Sequence, residues 1–466
     1  MEGRYFAPAV FAARFFAIFL TLFLLTGGVS SVYAATLTRE EVRTVLYEST
    51  QALLSGSDFS PALEAKQQAL RETLQSGAIK RAELAAMLEE SIVPILNKYR
   101  TSRYILQELP AKFDKLLAPY MEWEEVKAVV WKACSALIPD GEQMMLKIGT
   151  LAPPGTPWLN VPETLLIPQM AKLSNNKVVI KIYGGGTMGE DTDILRKMDI
   201  GQLEGCGCTA LGILAASPET AVLLLPGLFN NYDEIDYIYE KFRRRLDSAF
   251  EERGYILAAL IDTGFFHVFT KNKITGLADL KKQKVLTWFG IVETTLFREL
   301  NIDATPVAVP EVVSALSTGL ANACLAPTTW MLGMQAYQYT NYYMTPPLLY
   351  SPAAVVVSTQ TRDRFRKQFG MSELFANNIT ELLVYEVSAL ETVWRSQIRD
   401  YDAKSQKAFE VKCGMKPVVL SQADRQALEK AAKGVQAKLA GKAFPEDLMN
   451  EIIKALEDYR AGGAGR

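Results

Sequence analysis

The chain has 466 residues, 49% of them apolar and 22% charged, with 50 Lys and Arg against 52 Asp and Glu. That length exceeds what one compact core organises, so two or three domains are expected, and the composition excludes a disordered chain. The near-balanced charge, net −2, argues against nucleic acid as a partner, because phosphate binding needs a clear basic excess.

Residues 1–35 read as a secretory signal peptide. Arg4 and Arg14 are followed by an apolar run from Phe15 to Leu25, and Val32 and Ala34 have the spacing a signal peptidase reads. The run is short for a bilayer span, so cleavage near Ala34/Ala35 and a periplasmic protein are expected, with an uncleaved anchor as the alternative.

Residues 36–143 read as a small all-α domain. "TREEVRTVLYESTQALLSG" opens with Thr38 and Glu41 at capping-box spacing and closes on Gly56. "SPALEAKQQALRETLQSG" repeats the plan, with Pro61 suited to a first turn and Gly77 to a stop. Two or three further helical segments follow, interrupted by Pro94 and Pro110, and "IPDGEQ" at 138–143 reads as a linker.

Over residues 144–466 strands alternate with helices. "MLKIGTLAPPG", "KVVIKIYGGG" and "CGCTALG" are strands, while "TPWLNVPETLLIPQMAKLS" and "GEDTDILRKMDIGQLEG" are helical. Such alternation implies parallel β–α units with both sheet faces covered. It breaks at "YILAALIDTGFFHVFTKN", two extended runs in succession that suit a crossover between lobes, and then resumes. From Ser372 to about Lys412, Phe375, Ile379, Leu383, Trp394, Ile398 and their neighbours recur every three and four residues. A helix of about forty residues spans ~60 Å, enough to brace both lobes. The expected fold is α/β, a two-lobed periplasmic binding protein with a long bracing helix behind the all-α domain. Its ligand would lie between the lobes, which would close as a hinge.

Particular segments narrow this reading. "GTMGEDTDILRKMDIGQLEG" is a glycine-led helix before a short strand, and "LLLPGLFNNYDEI" is a Leu-Pro-x-Leu-Phe turn before an acidic helix. "GLADLKKQKV" and "PVAVPEVVSALSTGLANACLAP" lead into and through the second lobe. From about Leu146 to Leu456 the chain thereby resembles the substrate-binding subunits of tripartite ATP-independent periplasmic (TRAP) transporters; the helical domain lies outside that pattern. The resemblance implies solute capture, lobe closure and delivery to a membrane permease, with neither catalysis nor a cofactor.

It also implies where a ligand is held, and there this chain departs. Relatives carry a Lys-x-Arg strand whose arginine grips a carboxylate with two prongs; here Lys284 matches the lysine and Leu286 the arginine. Phe266 follows Gly264 and Phe265 where a second basic residue is common, and Leu325, Ala326 and Pro327 replace Glu-Asn-Pro. Losing half of a buried charge pair costs about 2–5 kcal/mol, whereas apolar walls reward an apolar ligand by about 25 cal/mol per Å². The expected site is a cleft of Leu286, Trp288 and Phe289, with Trp158, Phe266, Ala326, Trp330 and Met334, for a small hydrophobic or amphipathic ligand. Against it stands the ordinary reading of an apolar parallel strand as core. A lipid carrier or chaperone uncoupled from any permease is one alternative. A carboxylate receptor is the other, should the alignment at Leu286 shift.

The remaining motifs point elsewhere. "YGGGTMG" lacks the Gly-Lys-Ser/Thr of a phosphate loop and reads as a turn. His267, the sole histidine, suits a packed strand better than a general base. Cys206 and Cys208 read as small buried residues too close for a relaxed bridge, and with one histidine a zinc site is not expected. By analogy with TRAP systems that carry an accessory tetratricopeptide-repeat protein, the N-terminal helices are a docking candidate for one.

Overall fold

The structure is a computed structural model that describes residues 36–288 and 290–462. The signal-peptide reading and Phe289 lie outside these residues.

Five helices come first: α1 (Arg39–Ser55), α2 (Pro61–Gln75), α3 (Arg81–Leu96), α4 (Arg103–Leu117) and α5 (Trp123–Ser135). Thr38 and Glu41 form the capping box, and Gly56 ends α1 in the left-handed region at φ 69°. Pro94 and Pro110 sit inside α3 and α4 instead of separating helices. A proline removes one ladder hydrogen bond; burial of Leu106, Leu109 and Phe113 along α4 offsets that loss.

The α/β part begins with β1 (Met144–Thr150), α6 over 157–173, β2 (Val178–Tyr183), α7 (Asp191–Asp199), β3 (Gly205–Cys208), α8 (Ala210–Ala216) and α9 (Tyr232–Glu251). Strand β4 (Tyr255–Thr270) leads to α10 (Leu277–Leu280), β5 (Val285–Trp288), α11 (Ile291–Glu299), β6 (Ala304–Val307), α12 (Val309–Ser317), β7 (Ala323–Pro327) and α13 (Thr328–Gly333). The chain ends with β8 (Tyr342–Thr345), β9 (Leu349–Ser358), α14 (Gln360–Phe369), α15 (Glu373–Ser388), α16 (Glu391–Val411), β10 (Lys416–Val419), α17 (Gln422–Leu439) and α18 (Glu446–Ala461).

One sheet runs through both lobes in the order β2-β1-β3-β9-β4-β7-β5-β6, with β8 joined to β4 and β10 to β8. β1 is parallel to β2 and β3, and β5 to β6 and β7, as the alternation predicts. The two extended runs are one 16-residue strand, β4. It pairs with β9 and then, beyond a register shift between Asp262 and Gly264, with β7. Gly264, at φ 117°, supplies the bend without a side-chain clash.

The expected bracing helix is two helices. At Leu390 the ladder slips, its N–H bonding to Val387 O three residues back, which divides α15 from α16. α16 crosses β4 and packs on α13, while α15 packs on α4 and β4. One apolar core joins Leu46, Leu88 and Trp131 of the N-terminal helices to Met144, Val178, Phe375 and Leu383. Buried polar groups secure the same seam. Asn378 Oδ1 accepts from Thr101 N at 3.0 Å, and its Nδ2 donates to the carbonyls of Leu96 and Tyr99, both at 2.8 Å. Trp131 Nε1 donates to Glu386 Oε1 at 2.9 Å, and Arg103 Nη1 donates to the carbonyl of Leu257 at 2.5 Å.

Candidate ligand-binding site

Strand alternation puts Leu146 and Ile148 of β1 beside Ile180 and Ile182 of β2, and these four side chains line a cavity with Val355 and Val357 of β9. Between them β3 offers Gly205 and Gly207, opposite Val357 and Val355. A Cβ on Gly205 would lie 2.7 Å from both Ile148 Cδ1 and the Val356 carbonyl oxygen, so only glycine keeps this floor flat.

The facing wall is helical. Helix α6 contributes Trp158, Pro162, Leu166 and Met170. Its middle turn, Pro162–Leu166, is π-helical, a widening common beside binding sites. Helix α15 contributes Thr380, Leu383, Val384 and Val387 at three- and four-residue spacing, and α16 contributes Trp394. The opposite face of α15 carries Phe375, Asn378, Ile379 and Leu382, all buried, and Asn378 bonds the N-terminal helices. From the second lobe Trp288, Val309 and Trp330 complete the cavity, near Pro153, Thr209 and Thr263. This mouth lies at the carboxyl ends of β1 and β3, where open α/β sheets bind ligands. The cavity volume is about 110 Å³, measured by the centres of water-sized spheres.

Among the described residues, no Asp, Glu, Lys, Arg or His lines it. Its hydroxyls are already bonded to protein: Thr150 Oγ1 to Gly207 O at 2.7 Å, Thr263 Oγ1 to Pro352 O at 2.8 Å, and Thr380 Oγ1 to Ala376 O at 2.8 Å. Thr209 Oγ1 donates to Asp191 Oδ2 at 2.6 Å. Trp158 Nε1 donates to the carbonyl of Asp262 at 2.8 Å and Trp394 Nε1 to that of Pro157 at 3.1 Å. Trp288 Nε1 is buried without a partner.

The arginine bonded to Asp262, whose carbonyl holds Trp158, is already paired. Arg399 donates to Asp262 Oδ2 at 2.7 Å and to both oxygens of Asp236 at 2.6 and 2.8 Å. Burial works against its charge, but the two carboxylates raise its pKa, so it stays protonated and paired. Asp191, fully buried behind the mouth, also accepts from Thr209 N at 2.9 Å and Gly212 N at 3.1 Å, anchoring the start of α8. Burial pushes its carboxyl up to about 7, against the pull of those bonds. Cys206 and Cys208 are buried as expected but are joined as a disulfide. Their Cα atoms are 5.3 Å apart, so the pair is bonded where two separate small side chains were expected. With both sulfurs bonded and Asp191 already accepting three donors, this grouping is not a metal site. His267 is buried in β4 with Nδ1 2.8 Å from Met344 O, and burial lowers its pKa to about 4, which leaves the ring neutral.

The lobes meet over the cavity. Glu190 Oε2 accepts from Val309 N at 2.8 Å, and a Cβ on Gly186 of the glycine turn would lie 3.2 Å from Pro310 Cγ.

Of the residues expected from sequence, Trp158, Trp288 and Trp330 line the cavity together. Phe266 does not: it is fully buried with its ring 4.9 Å from that of Trp288, which lies 5.7 Å from Trp330. Leu286 precedes Trp288 on the same strand face but does not line the cavity and packs in the core. Ala326 sits within the sheet opposite His267, and Met334 packs on the same core outside the lining. Sequence reasoning missed the aliphatic walls of β1, β2, β9 and α15. The available signals were two prolines, Pro162 and Pro168, inside one helix and the alternating glycines of "GCGC".

Residues 148–443 match the bacterial extracellular solute-binding protein family 7. The chain is 22% identical over 269 residues to the ectoine/5-hydroxyectoine-binding periplasmic protein UehA of Ruegeria pomeroyi, covering 57% of this chain and 77% of that one. A solute-binding protein of Verminephrobacter eiseniae is 21% identical over 198 residues, 42% of this chain; the match spans only 59% of that relative's length. Among solved structures, the sugar acid binding protein DctPAm of Advenella mimigardefordensis in complex with galactonate superposes with a TM-score of 0.61 at 18% identity, over 68% of this chain and 99% of that one. A TRAP periplasmic solute binding protein of Desulfovibrio salexigens with bound orotic acid gives 0.59 at 19% identity, over 68% and 99%. The fold is therefore that of the two-lobed TRAP binding proteins, and the chain belongs to the bacterial extracellular solute-binding protein family 7.

Proposed function

We propose that the protein is an exported receptor that captures a hydrophobic or amphipathic, uncharged solute between its lobes and delivers it to a TRAP membrane permease, without catalysing a reaction. One observation carries this reading: among the described residues, the cavity between the lobes is lined without a single ionisable acid or base. The solved relatives named above hold galactonate and orotic acid. A carboxylate moved into this cavity would lose its hydration and meet no cation, which is strongly unfavourable. An apolar ligand gains about 25 cal/mol per Å² buried, several kcal/mol for a few hundred Å². The N-terminal helices, whose inner face is occupied by α15, would offer only their outer face to an accessory tetratricopeptide-repeat protein.

Native mass spectrometry of gently purified protein, followed by organic extraction, tests the ligand class. The expected result is a bound mass that partitions into the organic phase. Recovery of sugar acids or dicarboxylates alone contradicts the proposal.

A further inference from the structure

The walls also say how such a ligand lies, an inference that rests on the apolar-receptor reading. Along β1 the lining runs from Thr150 at the mouth inward to Leu146, and along β9 from Ala353 to Val357. Four strand steps are about 13 Å, so the space continues as a slot inside the first lobe, past the line where the lobes meet. Sheet lies on one side and α6 with α15 on the other, which suits an extended hydrocarbon chain. Its only hydroxyl under α15, on Thr380, is bonded to its own helix. The polar opportunity lies at the other end: Trp288, 5% exposed, carries the one lining side-chain atom that is buried and unpartnered. A buried N–H without an acceptor is destabilising, and a ligand oxygen admitted by a small turn of the indole would satisfy it.

We infer that the ligand is a single-chain lipid with an uncharged, hydrogen-bond-accepting head. The head lies between the lobes at Trp288, and the hydrocarbon chain runs inward beneath α15 toward Leu146 and Val357. The blind end of the slot then sets the preferred chain length.

The test titrates delipidated full-length protein with methyl esters of straight-chain acids from hexanoate to stearate, read by calorimetry. Affinity is expected to rise about fourfold per added methylene and to level off once the slot is full. Val357→Phe at the blind end moves that plateau to shorter esters and leaves the short ones unaffected; Leu146→Phe provides the same readout if the first variant does not fold. Trp288→Phe keeps the ring but loses the N–H, and weakens every ester by about fivefold. If no ester binds at any length, the apolar-receptor reading itself fails. If esters bind with affinity independent of length, or both plugs leave the plateau in place, the receptor reading stands and the slot is overturned. Tighter binding of the free acids than of their esters overturns the uncharged head.

Discussion

Glu293 lies in the first turn of α11 with its carboxylate folded over Gly290, where a Cβ would overlap Oε2. That oxygen is buried without a partner, and burial pushes the group from 4.5 up to about 7. In the unfolded chain the proton leaves near 4.5, while the folded protein keeps it until near 7. Stability therefore falls as pH rises across that window and is flat beyond it. Glu293→Gln is expected to match the wild type in thermal melts below the window and to exceed it by roughly 3 kcal/mol above it; parallel pH profiles would contradict this. At this scale the sequence was partly legible. Trp158, Trp288 and Trp330 were legible as aromatics suited to an apolar ligand. Ile148, Ile180 and Val355 were not, because a cavity wall and a core draw on the same aliphatic residues. Leu286 misled because it packs in the core, while Trp288, two residues on along the same strand face, takes the wall.

At the scale of elements, α15 faces two ways. Thr380, Leu383 and Val387 line the cavity, and Asn378 binds the loop between α3 and α4 through three hydrogen bonds. The N-terminal helices thereby hold one wall of the site in place. Asn378→Ala strands a buried N–H and two carbonyls and is expected to cost about 3 kcal/mol. Denaturant unfolding followed by far-ultraviolet circular dichroism checks this, and a loss below about 1 kcal/mol would contradict it. Helix starts, capping boxes and the alternation of strands were readable because local chemistry fixes them. The shared core of helices and first lobe was not, since it depends on which amphipathic faces meet. The break at Leu390 was equally hidden, because the apolar stripe continues through it.

Across the whole molecule, β4 and β9 link two lobes that are held closed over the mouth, partly by Glu190 on the first lobe accepting the N–H of Val309 on the second. Burial raises the Glu190 pKa, with Asp193 and Glu311 adding to the effect, so this contact is not a strongly favoured ion site and depends on its hydrogen bonds. Glu190→Ala removes both the bridge and a helix cap worth about 1 kcal/mol. Small-angle scattering is expected to give a larger radius of gyration than for the wild type; an unchanged radius would show that other contacts suffice to close the lobes. Closure matters because three of the four cavity tryptophans, Trp158, Trp288 and Trp330, come from both sides of the mouth and shield a ligand from water only together. The central claim, that this cavity has exchanged a cation for apolar walls, is tested most directly by a crystal structure of the protein with its co-purified ligand. The account predicts continuous density from Trp288 inward beneath α15, with no arginine or lysine in contact. A guanidinium paired with a ligand carboxylate between the lobes would contradict it.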